Sequence, residues 1–399
     1  MKKSIITALS LILMSAAYAQ LPVYTSMEEA LKEPEKVRAL TLKELGLTEL
    51  PGDIEKFTNL EVLDLSGNRL TQFPEKLFSF KKLRALTLKG NRIERLPEDI
   101  HKMDQLEELY ISYGLSHNVP YEEFKTIPAS FGQLNHLRVL DVSDWNLFSL
   151  PESVSKLGLE ELYASNNHIQ SLPEELFTRG RLKVVDLSNN NLTALPANLD
   201  VCGNLGVLNV SGNQIKNLPE AITNLQNLRY LNLAGNKFIK PVIEIKRLIP
   251  LNNLAYLNLS NTGVTELPTA IGTWGVLQEF DISNNNLKAL PTTIGSLKNL
   301  EKLNISHNNI IALPKTFYQL SSLKQFNAGY NAISSLEDFS SGTPFLQSVD
   351  FSHNQDLALC PNSFSKMESL KVVNVKHTGI NRFQAERLMN ESVSAAFIY

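Results

Sequence analysis

Apolar and polar positions along this chain follow a pattern that returns about every 23 residues. Each copy reads L-x-x-L-x-L-x-x-N-x-L and then x-x-L-P, as in the stretch from Leu60 to Pro74. Inside a copy, leucine-type residues alternate with polar ones, which predicts a short strand with one buried face. The fifteen copies begin at Val37, Leu60, Leu83, Leu106, Leu137, Leu159, Leu182, Leu205, Leu228, Leu254, Leu277, Leu300, Leu323, Leu346 and Leu370. A fixed period of this length predicts a solenoid of stacked coils.

A single coil cannot bury its own apolar face, so its stability comes from its neighbours in the stack. In the copy that begins at Leu60, the side chains of Leu63 and Leu65 are expected inside. Asn68 is expected to bond backbone groups of the turn, because stacked copies supply each other with hydrogen-bond partners. Pro74 is expected in the return segment, where a missing N–H is tolerated.

This pattern resembles the leucine-rich repeat family, and in particular its 23-residue L-P-x-x-I type in bacterial exported proteins. Copies such as LRYLNLAGNKF, LQEFDISNNNL and LEKLNISHNNI carry the resemblance, which covers about 350 residues. It implies an α/β fold, a leucine-rich repeat solenoid shaped as a curved horseshoe. A parallel β-sheet would form its concave face, and short helical or irregular segments its convex face. It also implies a binding function, mostly through protein interaction, without identifying the ligand.

The repeat boundaries predict four parts of the chain. Residues 1–19 are predicted to be a signal peptide and residues 20–36 an N-terminal cap. Residues 37–383 are predicted to form the solenoid of about fifteen repeats, and residues 384–399 a C-terminal cap that is helical at first. Ser26 is expected to begin a short helix in the N-terminal cap, because Ser-x-x-Glu is a capping-box pattern.

The first 19 residues have the organisation of a secretory signal. Lys2 and Lys3 precede an apolar run over 5–14, and Ala17-Tyr18-Ala19 has the small-residue form of a cleavage site. That run is too short to span a bilayer, and the rest of the sequence contains no apolar run long enough to do so. We therefore expect export through a cleaved signal peptide, to the periplasm or the outside, without membrane insertion.

The net charge limits the classes of ligand, and the cysteine positions limit the possible disulfides. The formal charge of the chain is −3, and loss of Lys2 and Lys3 with the signal makes it −5, which gives no support to nucleic-acid binding. Cys202 and Cys360 lie seven repeats apart, roughly 30 Å at the spacing of parallel strands. A disulfide needs Cα atoms within about 7 Å. Both thiols are therefore expected to be buried and unpaired.

The ligand surface is expected at the second, fourth, sixth and seventh places after the first leucine of each copy. Most copies carry Asp or Asn at the fourth place and Ser at the sixth, so only departures are informative. Repeats three to six depart most, and repeat four has an insertion. We predict partner binding by Lys89, Glu108, Tyr110, Tyr113, Asp144, Trp145 and Tyr163, with His117 and Tyr121 of the insertion. Tyrosine and tryptophan commonly anchor interfaces. The alternative is a Trp145 turned into the turn core and tyrosines scattered over the surface.

A second cluster occupies the seventh place of successive C-terminal copies: His307, Tyr330, His353 and His377. Stacked histidines could bind a metal, become charged as the pH falls towards 6, or form a secondary contact patch. Tyr330 interrupts the series, and Ser-His-Asn is a frequent filling of this turn. We therefore predict no metal site.

The sequence contains no G-x-S-x-G, no H-E-x-x-H and no phosphate-binding glycine loop. Rows of identical carboxylates lack the distinct environments that a catalytic acid and base require. We expect no enzyme and no cofactor. The leading hypothesis is a monomeric protein-interaction module that binds a protein or peptide on its concave face. The alternatives are an adhesin or structural surface component, and a carbohydrate-binding protein whose tyrosines stack on glycan rings.

Overall fold

The structure, a computed structural model, describes residues 20–113 and 125–399. The chain divides into two compact units, one up to Asn191 and the other from Leu192 to Tyr399. Each is built from very short strands, one per repeat, and every strand pair within a unit is parallel. The strands of the first unit are β1 (Val23–Tyr24), β2 (Ala39–Thr41), β3 (Val62–Asp64), β4 (Ala85–Thr87), β5 (Glu108–Tyr110), β6 (Val139–Asp141), β7 (Glu161–Tyr163) and β8 (Val184–Asp186).

The second unit repeats this construction. Its strands are β9 (Val207–Asn209), β10 (Tyr230–Asn232), β11 (Tyr256–Asn258), β12 (Glu279–Asp281), β13 (Lys302–Asn304), β14 (Gln325–Asn327), β15 (Ser348–Asp350), β16 (Val372–Asn374) and β17 (Ala396–Ile398). Equivalent repeat positions lie side by side, so that Leu257 pairs with Phe280 and Asn258 with Asp281. Because register keeps the same place of each repeat in line, chemistry at one place forms a row across the sheet.

The return segments are mostly 3₁₀-helices that begin just after the proline of L-x-x-L-P. In the second repeat, Pro74 precedes the segment Glu75–Ser79, and Leu77 donates its N–H to the Pro74 carbonyl at 3.0 Å. The other segments span Pro34–Lys36, Gly52–Lys56, Glu98–Lys102, Ala129–Gln133, Glu152–Lys156, Leu199–Val201, Glu220–Asn224, Thr269–Thr273, Thr292–Ser296, Lys315–Gln319 and Asn362–Lys366. Proline fits this place because the first N–H groups of a helix have no internal partner.

The turn asparagine, where a repeat has one, joins its coil to the preceding one, as the sequence predicts. Asn68 donates through Nδ2 to the carbonyls of Leu42 and Leu65, both at 2.8 Å. Its Oδ1 accepts from the N–H groups of Leu45 and Leu47, both at 3.0 Å. One amide therefore satisfies four backbone groups in two repeats. These bonds matter because an unpaired buried backbone group costs about 1–3 kcal/mol.

The predicted fold class is confirmed: both units are leucine-rich repeat solenoid segments with a parallel sheet and short 3₁₀ or helical returns. The leucine-type places of every repeat fill the interior, and Leu208, for example, is fully buried. The cysteines behave as predicted, since Cys202 and Cys360 are free and buried. Among the described residues, no helix has the length and apolarity needed to cross a bilayer.

Three helices among residues 20–113 and 125–399 mark departures from the repeat. Helix α1 (Met27–Ala30) begins after Ser26, whose hydroxyl accepts the N–H of Glu29, so the predicted cap is present. Helix α2 (Pro241–Leu248) replaces the 3₁₀ segment of the ninth repeat, where the sequence has three additional residues. Helix α3 (Arg382–Glu391) precedes β17. The additional residues of repeat nine are thus used on the side away from the sheet, whereas the boundaries of the two predicted caps stay predictions.

Candidate functional site

Most of the polar row at the fourth place serves the backbone. The side chain of Asp64 accepts the N–H of Ser66 at 2.8 Å, and that of Asn304 accepts the N–H of Ser306 at 3.1 Å. The same bond recurs in most repeats, including Asp141 to Ser143 at 3.0 Å. These side chains are therefore held in place by their own turns, and the common filling carries little information about a ligand.

The seventh place is a conformational constraint, which the sequence analysis did not recognise. Its residues have a positive φ in fourteen of the fifteen repeats, Tyr113 of repeat four being the exception: Glu44, Gly67, Gly90, Asp144, Asn166, Asn189, Gly212, Gly235, Asn261, Asn284, His307, Tyr330, His353 and His377. Glycine and asparagine tolerate this left-handed conformation best, which explains their frequency here. The informative residues at this place are the bulky ones that accept the strain.

In the first unit, three strands place Tyr110, Asp141 and Tyr163 side by side. Tyr110 of β5 pairs with Asp141 of β6, which pairs with Tyr163 of β7. The Tyr110 hydroxyl donates to Glu108 Oε2 at 3.2 Å, and the Tyr163 hydroxyl donates to Glu161 Oε2 at 2.7 Å. Each tyrosine ring thus folds over the carboxylate two residues before it, and the rings flank Asp141.

Lys89 completes this arrangement from the turn after β4. Its Nζ lies 2.6 Å from Asp141 Oδ2 and 4.8 Å from the centroid of the Tyr110 ring. The Lys89 side chain is 33% exposed and the Asp141 side chain 9%. We call Lys89, Glu108, Tyr110, Asp141, Glu161 and Tyr163 the tyrosine–carboxylate site. The sequence analysis missed Asp141 and Glu161, because Asp at the fourth place is ordinary and Glu161 is an unremarkable polar strand residue.

Electrostatics keep the two tyrosines neutral. Burial, reinforced by the charges of Glu108 and Glu161, raises the pKa of the Tyr110 hydroxyl far above its usual range. Burial, with the charge of Glu161, likewise raises the pKa of the Tyr163 hydroxyl. Burial also raises the pKa of the Asp144 carboxyl, with a contribution from the negative charge of Asp141. At neutral pH the hydroxyls are therefore donors to carboxylates, and the site is an acidic surface that Lys89 partly neutralises.

Burial sorts the predicted site residues. Trp145 is fully buried, so it lies in the turn core, as in the alternative left open by the sequence, and presents no ring to a partner. Glu108 is 1% exposed, and Tyr113 and Tyr163 are each 8% exposed. Lys89, Tyr110 and Asp144 keep more exposure. His117 and Tyr121 lie outside the described residues.

Trp145 occupies the place where other repeats have the turn asparagine. Asn167 of the next repeat bonds the N–H groups of Trp145 and Leu147, at 3.1 and 2.9 Å. Lys125, which the sequence analysis also missed, packs beside it, with Nζ 3.7 Å from the Tyr113 ring centroid and 5.5 Å from that of Trp145. Burial lowers the pKa of Lys125 to about 8. Trp145, Tyr113 and Lys125 therefore support the turn beneath the site.

In the second unit, the predicted C-terminal cluster forms a continuous stack. The ring centroids of His307 and Tyr330 are 4.1 Å apart, those of Tyr330 and His353 are 3.9 Å apart, and those of His353 and His377 are 4.4 Å apart. Tyr330 therefore joins the histidines rather than interrupting them. Partial loss of hydration, with the nearby charge of His377, lowers the pKa of His353. Among the described residues, no three His, Cys, Asp or Glu side chains come together as metal ligands.

The sheet face of the second unit forms a groove of about 530 Å³. Its lining combines apolar strand residues with amide and hydroxyl groups, such as those of Asn304, Asn327 and Ser348, and Lys302 and Glu279 are paired there at 2.7 Å. Tyr230 and Tyr256 stack on each other at 4.1 Å with nearly parallel rings. The groove therefore offers hydrogen-bonding groups together with the carboxylates of Glu279, Asp281 and Asp350, against which Lys302 is the one cation among the described residues of the lining.

Two family profiles match the chain and place these repeats. Residues 29–119 and 238–341 match the profile of a leucine-rich repeat region, and residues 157–215 and 180–238 match that of a leucine rich repeat. The chain is a leucine-rich repeat protein. A comparison with curated proteins gives no match. Leucine-rich repeat domains are a general protein-interaction module, and proteins of this class are typically non-enzymatic binding modules.

Solved structures with the same fold come from bacteria and plants. A leucine-rich repeat protein of Leptospira interrogans has a TM-score of 0.72 at 25% identity, over 95% of this chain and 100% of that one. The functional domain of InlJ from Listeria monocytogenes has a TM-score of 0.71 at 20% identity, over 91% of this chain and 74% of that one. The plant peptide hormone receptor RGFR1, solved in complex with RGF2, has a TM-score of 0.61 at 23% identity, over 86% of this chain and 67% of that one.

Proposed function

We propose that this leucine-rich repeat protein is an exported bacterial interaction module that binds a protein or peptide on the sheet face of its first unit. The observation that carries this proposal is the tyrosine–carboxylate site. In register across β5, β6 and β7, it interrupts the ordinary polar row with Tyr110 and Tyr163, one on each side of Asp141. Export rests on the signal-like residues 1–19, and a monomer is the expected state.

A partner would meet a preorganised surface. Both tyrosine hydroxyls already bond carboxylates, the Tyr110 hydroxyl to Glu108 and the Tyr163 hydroxyl to Glu161. Groups held in this way lose little conformational freedom on binding, which limits the entropic cost of association. Tyr110 adds a half-buried aromatic ring next to charged groups, a combination that is common at interface anchors.

The relatives support a polypeptide partner. The plant receptor in the comparison is a peptide hormone receptor solved with its peptide, on a fold that this chain shares. A glycan that stacks on tyrosines would need several open ring faces, yet Tyr163 is 8% exposed, so Tyr110 is the tyrosine of the site that keeps more exposure. The geometry therefore favours a polypeptide over a carbohydrate.

The test is capture by purified residues 20–399 from bacterial envelope and culture-medium fractions, with mass spectrometry of the retained material. Tyr110→Ala with Tyr163→Ala should abolish retention of an enriched protein. Tyr256→Ala is the matched control, because it removes a half-buried tyrosine from the sheet face of the second unit. Retention that survives the double substitution would exclude this site, and retention of polysaccharide alone would favour the carbohydrate alternative.

A further inference from the structure

The charge on the sheet face of the first unit is strongly one-sided around the tyrosine–carboxylate site. Strands β4 to β8 and the turns that follow them present acidic side chains at Glu108, Asp141, Asp144, Glu161 and Asp186. At the described second, fourth, sixth and seventh places of these repeats, the basic residue is Lys89. The surface is therefore complementary to a cation, and one cation of the chain itself already occupies it.

The bonding of Asp141 differs from that of equivalent aspartates. In the second unit, Asp281 and Asp350 each accept a hydrogen bond through Oδ2 from an asparagine one strand further, Asn304 and Asn374, both at 3.0 Å. At Asp141, the corresponding position of the next strand is Tyr163, which donates to Glu161 instead. The outer oxygen of Asp141 is thus left for a donor that the neighbouring strand does not supply.

Lys89 supplies that donor from two strands away. It follows β4, whereas Asp141 belongs to β6, so its side chain reaches past Tyr110 of the intervening strand β5. Holding a long lysine side chain in one geometry costs conformational entropy, and this pair, with side chains 33% and 9% exposed, loses hydration that offsets much of the attraction between its charges. The Lys89 ammonium is therefore a weakly held occupant that a better cation can displace.

We propose that Lys89 is an internal stand-in for a cationic side chain of the partner, and that the partner presents a basic segment rich in arginine. An arginine guanidinium could pair with the Asp141 carboxylate through two donors and stack on the Tyr110 ring. Its planar fork suits both contacts better than the point charge of a lysine ammonium. This inference rests on the proposed function, and it makes Lys89 a competitor of the partner, whereas the sequence analysis predicted a contact residue.

Whether Lys89→Ala strengthens or weakens binding decides whether Lys89 competes with the partner or contacts it. We would measure binding of fluorescein-labelled nona-arginine to residues 20–399 by fluorescence anisotropy, at low ionic strength because salt screens surface charge. If Lys89 competes with the peptide, Lys89→Ala should tighten binding by roughly three- to tenfold, the range expected for removal of one competing ion pair. Asp141→Asn should weaken binding, because it removes the charge that the guanidinium meets.

The matched control is Lys43→Ala. Lys43 occupies the same sixth place in the first repeat and pairs with Glu44 at 3.3 Å, away from the tyrosine–carboxylate site. It changes the net charge of the protein by the same amount, so a general attraction between opposite charges would tighten binding equally in both variants. Equal effects of Lys43→Ala and Lys89→Ala, or weaker binding by Lys89→Ala, would overturn the inference.

Calcium chloride alone is the second probe, because carboxylates also attract divalent cations. Saturable calcium binding that Asp141→Asn removes, without saturable binding of the peptide, would show that the site takes a metal ion and overturn the inference. Failure of the proposed function would look different, since no protein would then be captured from cell fractions. Capture of a partner that Lys89→Ala weakens would keep the proposed function and refute only the role of Lys89.

Discussion

The turn asparagines, which each bond backbone groups of two repeats, predict that one amide in a turn is worth about as much as a leucine of the core. Asn285 is the clearest case, because it is buried in the second unit and bonds groups on both sides. Its Nδ2 lies 2.9 Å from the Leu259 carbonyl and 3.0 Å from that of Ile282. Its Oδ1 accepts the N–H of Gly263 and of Val264, both at 2.9 Å. Asn285→Ala would leave all four groups without this partner.

The size of the effect follows from those four groups. Each buried backbone group without a partner costs about 1–3 kcal/mol, and a water molecule entering the vacated space would recover part of that. We expect Asn285→Ala to lower the free energy of unfolding by roughly 3–5 kcal/mol. Asn285→Asp should be worse, because it keeps the acceptor but turns a carboxylate oxygen towards the carbonyls of Leu259 and Ile282.

The neighbouring asparagine is the control. Asn284 is exposed and has a φ of 55°, a conformation that glycine adopts without strain. Asn284→Gly should therefore change stability by less than about 1 kcal/mol. The assay is urea unfolding followed by circular dichroism, with the slope of the transition compared among variants to detect loss of cooperativity. A loss below about 1 kcal/mol for Asn285→Ala would refute the idea that the turn asparagines hold the coils together.

Three further predictions concern the core, the ring stack and the thiols. Leu208→Ala should cost about 2–5 kcal/mol by urea unfolding, since Leu208 is fully buried, and a loss below about 1 kcal/mol would contradict the register. The lowered pKa of His353 means that the folded state resists protonation, so the melting temperature should fall as the pH drops below about 6.5. His353→Asn should reduce that fall, and an identical pH profile would argue against it. Burial raises the pKa of the Cys360 thiol to about 12, so at pH 8 a thiol reagent should label Cys360 only after denaturant is added.

Much of the fold could be predicted from the sequence, because the spacing of leucines and asparagine in each repeat determines how it aligns with the next one. Leu63, Leu65 and Asn68 lie where the pattern puts them, since a period of two fixes the buried face and the turn needs an amide. Helix α2 and strand β17 were not predicted. Three additional residues do not reveal whether they form a loop or a helix, and a strand at the end of a stack depends on pairing with β16.

The candidate site was harder to predict, because the place of a residue in the repeat does not determine whether its side chain is buried or exposed. Trp145 and Asp144 are adjacent in sequence, yet the ring of Trp145 is fully buried while Asp144 stays partly exposed. The seventh place looked like a ligand position, but its left-handed backbone first selects residues that tolerate a positive φ. A single sequence shows which residues depart from the repeat. Whether such a side chain turns into the core or towards solvent depends on how it packs.

Asp141 shows where specificity can arise in such a regular protein. Its Oδ1 accepts the same backbone N–H as the Oδ1 atoms of Asp281 and Asp350 do. The turn therefore keeps its structure whichever donor the outer oxygen, Oδ2, has. In the second unit, a neutral amide of the adjacent strand occupies that outer oxygen, whereas here a lysine from two strands away does so. A repeat can therefore keep its fold and change its ligand by replacing the neighbour of one aspartate. For that reason Lys89, rather than the buried Trp145, is the residue whose substitution should most directly reveal the chemistry of the partner.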